Sequence, residues 1–341
     1  MTPQTKVAIQ TVHSGHRYPL FRRLFVLATL AALSVLVPVP RSALAADFSS
    51  LQWANQTIHL QQAWQDVPNR GAGTRVCAVD TGVMIDHPDL KDAIIGGINT
   101  ADATAPASYG DDIGHGTFTA GIMVARGKSI WGVAPGASLL VAKGLNQQGE
   151  GDASSTTAGI LWCIDQGAQV IDLSLSGGAS AWDGFTEAIG FGCRQGVDFA
   201  VAAGNDGAPN KRLNPANISS PCLITANASD RHDHLAHFSN HGENTRSVTA
   251  PGQVVVSDWT NGSVALGSGT SSSAAFVAGV MALLRSQGAD ARTAVRVILR
   301  SARHPTHVRF VDGRNAVLGY GILDAGAACK MYQELKAHGS H

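Results

Sequence analysis

Four polar residues, far apart along this chain, have the side-chain types needed for nucleophilic attack on a carbonyl group: Asp80, His115, Asn205 and Ser271. A serine hydroxyl becomes a nucleophile when an imidazole accepts its proton, and a carboxylate can orient that imidazole and stabilise it once protonated. An amide side chain or a backbone N–H can then stabilise the oxyanion that forms. Taken singly, each of the four also has an ordinary structural explanation.

Ser271 lies just before a strongly apolar segment. The flexible run from Gly267 to Ser271 leads into residues 274–284, which are apolar on nearly every face, so we expect a buried helix there. The N-terminus of a helix presents unpaired N–H groups and the positive end of the helix dipole. A hydroxyl at this position can act as a nucleophile whose oxyanion meets a backbone N–H, or it can simply cap the helix.

The other three residues also allow two interpretations each. Asp80 ends an apolar run and can orient an imidazole, or it can form an Asx turn at a strand exit. His115 is bracketed by glycines and can be an accessible general base, or it can simply begin a helix. Asn205, in a Gly-Asn-Asp-Gly sequence, can donate to an oxyanion or can occupy a turn.

Short apolar runs alternate with helical stretches from residue 75 onward, which is typical of β-α-β units around a parallel sheet. We expect strands at 76–79, 139–142, 170–173, 197–202 and 223–226, and helices at 118–125, 154–166, 184–195, 274–286 and 291–301. Catalytic groups of such sheets gather at the carboxyl ends of the strands, where Asp80 and Asn205 stand. No repeat or linker interrupts residues 46–328, so one domain is predicted.

The composition fits a globular α/β enzyme. With 341 residues and 44% hydrophobic content, the chain can bury a full core. Its formal net charge is zero and no basic run follows the N-terminal segment, which argues against nucleic acid and anionic membrane surfaces as partners. The 38 glycines indicate tight turns and close approaches between backbone segments.

Residues 1–45 have the features of a secretory signal peptide. Two arginines at 22–23 precede an apolar run at 24–37, and an A-x-A cleavage sequence ends at Ala45. The apolar run is shorter than the roughly 20 residues that a membrane-spanning helix needs. We therefore expect cleavage after Ala45, a secreted or periplasmic protein, and no stable membrane anchor on the mature chain.

In their order Asp, His, Asn, Ser, and in their surroundings, the four candidate residues resemble the motifs of the subtilisin-like serine peptidases, the subtilases. Linking segments agree as well, and the resemblance extends over residues 51–328. The segments that carry it are Val79-Asp80-Thr81-Gly82, His115-Gly116-Thr117 with Ala120-Gly121, Ala202-Ala203-Gly204-Asn205, Gly269-Thr270-Ser271, His87-Pro88-Asp89-Leu90 and Ala250-Pro251-Gly252.

The resemblance implies a three-layer subtilisin-like α/β fold, in which helices flank a mostly parallel central sheet. It implies that Ser271 attacks a peptide bond, that His115 transfers the proton and that Asp80 holds the imidazole, while Asn205 and the Ser271 N–H stabilise the oxyanion. A polypeptide substrate is expected to pair as an extended strand with residues 145–151 and 173–177. The implied substrate-binding residues are Leu145, Gly149, Gly151, Ser174, Leu175, Ser176 and Gly204.

The sequence departs from the family pattern near the expected nucleophile. Ser272, Ser273 and Ala275 stand where the family usually has Met, Ala and Pro. The additional hydroxyls complicate the choice of nucleophile, although the alignment of the motif favours Ser271. Asp172 stands where an asparagine is common and, if it is buried, needs hydrogen-bond donors or a raised pKa.

No cofactor is required for this chemistry, and structural calcium is the one metal that the resemblance raises. Asp89 matches a calcium ligand of many relatives, but the loop expected to supply the other ligands, residues 126–129, is short and basic, which disfavours a dication. Export permits disulfides among the five cysteines, all of which follow residue 45. We expect a bond between Cys193 and Cys222, which flank one predicted strand and its loop, and at least one free thiol unless an intermolecular bond forms.

The predicted organisation is a signal peptide at 1–45, a mature N-terminal segment at 46–70, a peptidase domain at 71–328 and a short tail at 329–341. The segment 46–70 is too short to be the folded inhibitory pro-domain usual in the family. We therefore expect an exported serine endopeptidase. A processing peptidase dedicated to one exported precursor is one alternative, and a catalytically weak peptide-binding module of the same fold is another.

Overall fold

A seven-stranded parallel sheet lies at the centre of the protein, in a computed structural model that describes residues 6–8, 48–177, 183–209, 214–242 and 246–339. Its strand order is β3-β4-β2-β6-β7-β8-β9, whereas β1 with β5 and β10 with β11 form antiparallel pairs. The strands are β1 Lys6–Ala8, β2 Arg75–Asp80, β3 Ile94–Asn99, β4 Ser138–Lys143, β5 Glu150–Asp152, β6 Val170–Leu173, β7 Asp198–Ala202, β8 Leu223–Ser229, β9 Ser247–Pro251, β10 Val255–Trp259 and β11 Ser263–Gly267.

Helices cover both faces of this sheet. In β2, Val76 and Ala78 face the core shared with α3 and α6, whereas Cys77 and Val79 face the core shared with α4 and α5. A strand buried on both faces is apolar throughout, which explains the unbroken apolar run in β2. The expected three-layer α/β fold is thereby confirmed. The helices are α1 Trp53–Thr57, α2 Leu60–Asp66, α3 His115–Val124, α4 Ala153–Asp165, α5 Asp183–Arg194, α6 Thr270–Ser286, α7 Ala291–Ser301 and α8 Ala325–Ala337.

All five strands and all five helices expected from the sequence are present, with small differences at their ends. The largest difference is at α6, which begins at Thr270 rather than at residue 274, because a distant side chain, Asn205 Oδ1, accepts the Thr270 N–H at 2.9 Å. The sequence patterns do not reveal β3, whose apolar run is interrupted by Gly96 and Gly97.

The C-terminal segment is a packed helix, which corrects the short tail expected at 329–341. Helix α8 spans Ala325–Ala337, and Asp324 caps it by accepting the N–H of Ala327 at 2.8 Å. Cys329 and Tyr332 are buried in the main core, against α2 and α7. The boundary expected after residue 328 therefore falls inside a helix that belongs to the domain.

Two disulfides fasten the layer formed by α4 and α5 to the sheet. Cys77–Cys163 joins β2 to α4, and Cys193–Cys222 joins α5 to the start of β8. Cys329 is a free, buried thiol. Sequence patterns favour the second pairing because its cysteines flank one strand, and they give no indication of the first, whose cysteines are 86 residues apart.

Most of the predicted signal peptide lies outside the described residues. Its only described part is β1, which pairs antiparallel with β5 so that Val7 is opposite Gly151. Across the described part of the chain, no helix has the length and apolar character required to cross a bilayer.

The packing of α6 gives a stability prediction for two glycines that both lie in helices. A Cβ at Gly279 would lie 2.5 Å from the Val133 Cβ, so Gly279→Ala should destabilise the protein by about 1–3 kcal/mol in spite of the higher helix propensity of alanine. At Gly190 in α5 the nearest atom is the end of the Arg194 side chain, 3.6 Å away, and Gly190→Ala should stabilise by about 0.5–1 kcal/mol.

Urea unfolding monitored by circular dichroism measures both effects, with Ser271→Ala in every sample to prevent self-digestion. Equal free energies of unfolding for the two alanine variants would contradict the described contact between α6 and Val133.

Candidate active site

Asp80 and His115 form a hydrogen-bonded pair at the carboxyl end of β2. The Nδ1 atom of His115 lies 2.7 Å from Asp80 Oδ1. The Asp80 side chain is fully buried, and it also accepts hydrogen bonds from the Thr81 N–H at 2.7 Å and the Thr119 hydroxyl at 3.2 Å. These donors compensate for the loss of water around a buried carboxylate. The pair therefore has the geometry of an imidazole oriented by a carboxylate.

A second carboxylate, Asp111, fixes the N-terminus of α3 and therefore the position of His115. Asp111 accepts the N–H groups of Gly114 at 2.9 Å and Thr117 at 2.8 Å, and it also accepts the Thr81 hydroxyl at 2.9 Å. Thr81 in turn accepts the N–H of Gly116 at 2.9 Å, so the end of β2 and the start of α3 are joined directly.

Only glycine fits directly after His115. A Cβ at Gly116 would lie 2.0 Å from the Gly82 carbonyl oxygen, so the backbone of α3 approaches the loop after β2 more closely than any side chain allows. The bracketing glycines of the sequence motif therefore have a packing role as well as leaving the imidazole accessible.

The environment of His115 favours its protonated form. Burial of the imidazole is the largest single influence and lowers its pKa. The charge and hydrogen bond of Asp80, with smaller contributions from Asp111 and Asp172, together outweigh burial, and the pKa of His115 is raised above its ordinary value of 6.5. The Asp80–His115 pair can consequently stabilise an imidazolium, which is the species a general base becomes.

Ser271 lies at the same edge of the sheet as His115. Its hydroxyl donates to the Ser174 carbonyl oxygen at 3.2 Å, and the Ser174 hydroxyl donates back to the Ser271 carbonyl at 3.0 Å. Ser174 directly follows β6, which is the parallel neighbour of β2. Adjacent strands are about 4.8 Å apart. The ends of β2 and β6 therefore bring His115 and Ser271 into one cleft.

Burial distinguishes Ser271 from the two serines that follow it. Ser271 is partly exposed, whereas Ser272 is 3% exposed and Ser273 is fully buried. The Ser273 hydroxyl donates to the carbonyl oxygens of Ala250 and Pro251, at 3.0 and 3.1 Å. The helix thus presents only one of the three hydroxyls to the cleft.

Asn205 is held in a fixed orientation by Thr270. Its Oδ1 accepts both the backbone N–H and the hydroxyl of Thr270, each at 2.9 Å, and the same hydroxyl accepts the N–H of Gly204 at 3.0 Å. With Oδ1 engaged in this way, Nδ2 is the side-chain atom that can donate to an anion near the N-terminus of α6. The Ser271 N–H is a second such donor, because the first N–H groups of a helix have no partner inside it.

The residues expected to bind substrate lie around this cleft. Gly149 forms the turn before β5, and Gly151 is within β5. Leu145, Ser174, Leu175 and Ser176 are buried, and Gly204 precedes Asn205. Ser174 contacts Ser271 directly, and Gly204 donates its N–H to the Thr270 hydroxyl beside it. The role of the seven residues in substrate binding stays a prediction.

Asp172 of β6 is a fully buried carboxyl group near Asp80 and His115. Neither of its oxygens has a hydrogen-bond partner among the described residues. Burial raises its pKa to about 8, and the charge of Asp80 contributes in the same direction. At neutral pH Asp172 is therefore a neutral acid, which matches the neutral asparagine common at this position in the family.

The surroundings of Asp89 do not fit calcium. Its two carboxylate oxygens accept the backbone N–H groups of Lys128 at 2.5 Å and Ser129 at 2.8 Å. The loop at 126–129 thus offers Asp89 two backbone N–H donors and no oxygen ligand, whereas Ca²⁺ requires six to eight oxygen ligands. The calcium site that the resemblance suggested is not supported by this donor set.

Sequence motifs missed several residues that position the site. Thr81 and Asp111 anchor α3, Thr270 orients Asn205, and the buried ammonium group of Lys143 donates to the carbonyls of Thr81 and Gly110 at 2.6 and 2.9 Å. Thr81 and Thr270 lie within the motif segments, and Asp111 lies four residues before His115, so their hydroxyl and acidic side chains were the available signal. Lys143 directly follows the predicted strand at 139–142, and that position was the only signal for it.

Several known proteins are similar to this chain in sequence. The model of the subtilase family matches residues 71–321. Thermitase from Thermoactinomyces vulgaris is 39% identical over 249 residues, which are 72% of this chain and 85% of thermitase. The minor extracellular protease Epr of Bacillus subtilis is 34% identical over 278 residues, or 80% of this chain but only 41% of that protein.

Solved structures agree with the sequence comparisons. A protease from Pseudoalteromonas arctica superposes with a TM-score of 0.76 at 25% identity, over 84% of this chain and 99% of that one. A cold-adapted subtilisin-like serine proteinase superposes with a TM-score of 0.64 at 28% identity, over 75% of this chain and 88% of that one. The chain belongs to the subtilase family and is a subtilisin-like serine endopeptidase. Its chemistry needs no cofactor.

The buried acid Asp172 gives a prediction about pH and stability. Its pKa is about 8 in the folded protein and near 3.8 in the unfolded chain. At any pH between these two pKa values, the protein therefore binds a proton when it folds. Stability should then fall as the pH rises from 4 to 8, by up to about 1.4 kcal/mol per pH unit. Asp172→Asn should remove this part of the pH dependence.

The measurement is the free energy of unfolding at several pH values, for Ser271→Ala and for Ser271→Ala with Asp172→Asn. Asp165→Asn is the matched control, because Asp165 ends α4 at an exposed position and should leave the slope unchanged. Identical slopes with and without Asp172→Asn would contradict a buried neutral acid at this position.

Proposed function

We propose that this subtilase is an exported endopeptidase in which Asp80, His115 and Ser271 form the catalytic triad. The observation that carries the proposal is the 2.7 Å hydrogen bond between Asp80 and His115 at the end of β2, beside the only accessible serine hydroxyl at the start of α6. Carboxylate, imidazole and hydroxyl in this arrangement are sufficient for acyl transfer.

The proposed reaction begins when the Ser271 hydroxyl turns from the Ser174 carbonyl towards Nε2 of His115. Ser271 Oγ then bonds to the scissile carbonyl carbon while His115 accepts the hydroxyl proton. As the tetrahedral intermediate collapses, the C–N bond breaks and His115 returns the proton to the leaving amine. Water attacks the acyl-enzyme by the same route, and Ser271 is regenerated.

The oxyanion of each tetrahedral intermediate is proposed to lie at the N-terminus of α6. The Ser271 N–H and Asn205 Nδ2 are the two donors, and Thr270 keeps the Asn205 amide in the orientation that directs Nδ2 rather than Oδ1 towards the anion. Donors held before the reaction begins need no reorganisation when the charge develops, which is the reason such sites accelerate acyl transfer.

A polypeptide is proposed to bind as an extended strand along β5 and along residues 173–177. Support comes from the pairing of β1 with β5, because Lys6–Ala8 lies antiparallel along Glu150–Asp152. The edge of β5 can thus accept an extended segment through backbone hydrogen bonds, which do not depend on the sequence of the segment. Ser176, where the family usually has glycine, is proposed to narrow a substrate pocket.

Export is proposed from the N-terminal sequence and from the cysteines. Residues 1–45 combine the arginines, the apolar run and the A-x-A sequence of a signal peptide. Four of the five cysteines are paired in the structure, and such disulfides persist in oxidising compartments. The name of the Bacillus subtilis relative describes it as extracellular.

A fluorophosphonate probe tests the proposed nucleophile, because it reacts covalently with activated serines. The wild-type protein should be labelled, Ser271→Ala should not, and Ser272→Ala should react within about two-fold of wild type, since the Ser272 side chain is buried. Unlabelled wild-type protein would contradict the proposal that the chain is an active peptidase, and loss of labelling only in Ser272→Ala would identify Ser272 as the nucleophile.

Digestion of a peptide library would then distinguish an endopeptidase of broad specificity from a processing peptidase that cleaves at one sequence motif.

The oxyanion proposal predicts the kinetics of two neighbouring substitutions. Asn205→Ala should lower kcat by about 10²–10³-fold with little change in KM, because the lost hydrogen bond exists only in the transition state. Thr270→Ser keeps both donors to Oδ1 and should retain most of the activity, whereas Thr270→Val keeps only the backbone donor and should lower kcat. An Asn205→Ala protein with unchanged kcat would contradict the assignment.

A further inference from the structure

Three buried side chains outside the catalytic cleft converge on one point. His87 and Asp89 lie in the loop after β2, and Asp258 lies in β10. All three residues are fully buried, and one potential ligand atom from each lies within 4.8 Å of the other two. None of them has a role in the proposed acyl transfer.

Asp258 has no neutral or cationic hydrogen-bond donor for its carboxyl oxygens among the described residues. Its titrating neighbours there are Asp89, with which it can share a proton, and His87, whose Nδ1 lies 3.8 Å from Asp258 Oδ2. Within the same part of the chain, the ion pairs of lysine and arginine involve other carboxylates. A buried carboxyl group in this situation needs either a proton or a cation.

His87 is oriented in the way that metal-binding histidines usually are. Its Nε2 faces the carbonyl oxygen of Ser263 at 3.3 Å, which makes Nε2 the donor and leaves the lone pair on Nδ1. That lone pair accepts the N–H of Asp89 at 3.2 Å and lies 3.8 Å from Asp258 Oδ2, so a bound metal ion would replace this long hydrogen bond. A backbone carbonyl that holds the second nitrogen of the ring in this way fixes both the tautomer and the direction of the lone pair.

Asp89 is equally well fixed. The N–H groups of Lys128 and Ser129 each donate to one of its carboxylate oxygens, and each oxygen retains a second lone pair. One of these lone pairs is sufficient for a single bond to an ion shared with His87 and Asp258, although the same carboxylate is unsuited to the larger oxygen shell of calcium.

We propose that His87, Asp89 and Asp258 bind one divalent transition-metal ion, with Zn²⁺ as the best fit. An imidazole nitrogen with carboxylate oxygens suits zinc, whereas Ca²⁺ and Mg²⁺ prefer oxygen alone. Ligands about 2.0–2.2 Å from a tetrahedral ion lie about 3.4 Å from each other. The 3.8 Å between His87 and Asp258 is close to this separation, and two carboxylates balance the charge of the ion.

The ion would be structural rather than catalytic, since it would tie β10 to the loop after β2. Strand β10 supports α3: the Ser257 hydroxyl donates to the Phe118 carbonyl at 2.7 Å, and Trp259 contacts Phe118 edge-on at 6.2 Å between ring centres. Trp259 also packs over Gly114, directly before His115. Metal binding therefore stabilises β10, the strand that packs against α3 and so supports His115.

The test uses the full chain carrying Ser271→Ala, stripped with a chelator and then titrated with Zn²⁺ or Co²⁺. We expect one Zn²⁺ per chain by elemental analysis after dialysis, visible d–d absorption on addition of Co²⁺, and an increase of several degrees in Tm with Zn²⁺. Asp258→Asn should weaken Co²⁺ binding by at least about 100-fold, because it removes a direct ligand. Since catalysis is absent from the assay, the result is independent of the proposed triad.

Asp230→Asn is the matched control, because Asp230 pairs with His234 at an exposed position, 3.3 Å between Oδ2 and Nδ1. It should bind metal as the parent protein does. If Asp258→Asn does not fold, His87→Gln replaces it. The proposed site would be wrong if Asp258→Asn retained the metal or if Asp230→Asn lost it. It would also be wrong if the parent protein neither retained one Zn²⁺ nor gained stability on adding it. In that last case Asp258 would instead share a proton with Asp89.

Discussion

The site depends on one hydrogen bond, between the buried carboxylate of Asp80 and Nδ1 of His115. A buried carboxylate is costly unless donors surround it, and the Thr81 N–H and the Thr119 hydroxyl supply them. The same carboxylate raises the pKa of His115 in spite of the burial of the ring. Much of the nearby structure maintains this contact: Asp111 and Thr81 fix the start of α3, and β10 packs against the other side of that helix.

Burial also determines which groups near this pair can react. Among three consecutive serines the sequence alone does not choose, whereas the helix turns Ser272 and Ser273 into the core and leaves Ser271 at the cleft. Asp172 is buried near Asp80 and His115, and burial raises its pKa to about 8, so it is neutral at neutral pH. Burial thus distinguishes Ser271 from the two serines that follow it, whereas Asp80 and Asp172 are both fully buried and differ in their hydrogen-bond donors.

The sequence predicted five strands of the central sheet and five helices because short-range patterns carry that information, and the same patterns single out the candidate site residues. An apolar strand ending in Asp80, a glycine-bracketed His115 and a hydroxyl before an apolar helix are each visible locally. Contacts between distant segments are not: the Cys77–Cys163 bond, the anchoring of α3 by Asp111 and the packing of α8 on α2 depend on the three-dimensional arrangement of the sheet. The C-terminal tail was mispredicted for the same reason, since α8 packs on α2, α6 and α7, which lie elsewhere in the sequence.

The most direct test of this account is the pKa of His115, measured by NMR titration of the imidazole signals in the Ser271→Ala protein. The signal is assigned as the one missing from a His115→Gln variant. The account predicts a pKa above the ordinary value of 6.5, and a lower pKa in Asp80→Asn, where burial remains but the carboxylate charge is gone. A His115 pKa at or below 6.5, or one unaffected by Asp80→Asn, would contradict the central role of the Asp80–His115 hydrogen bond.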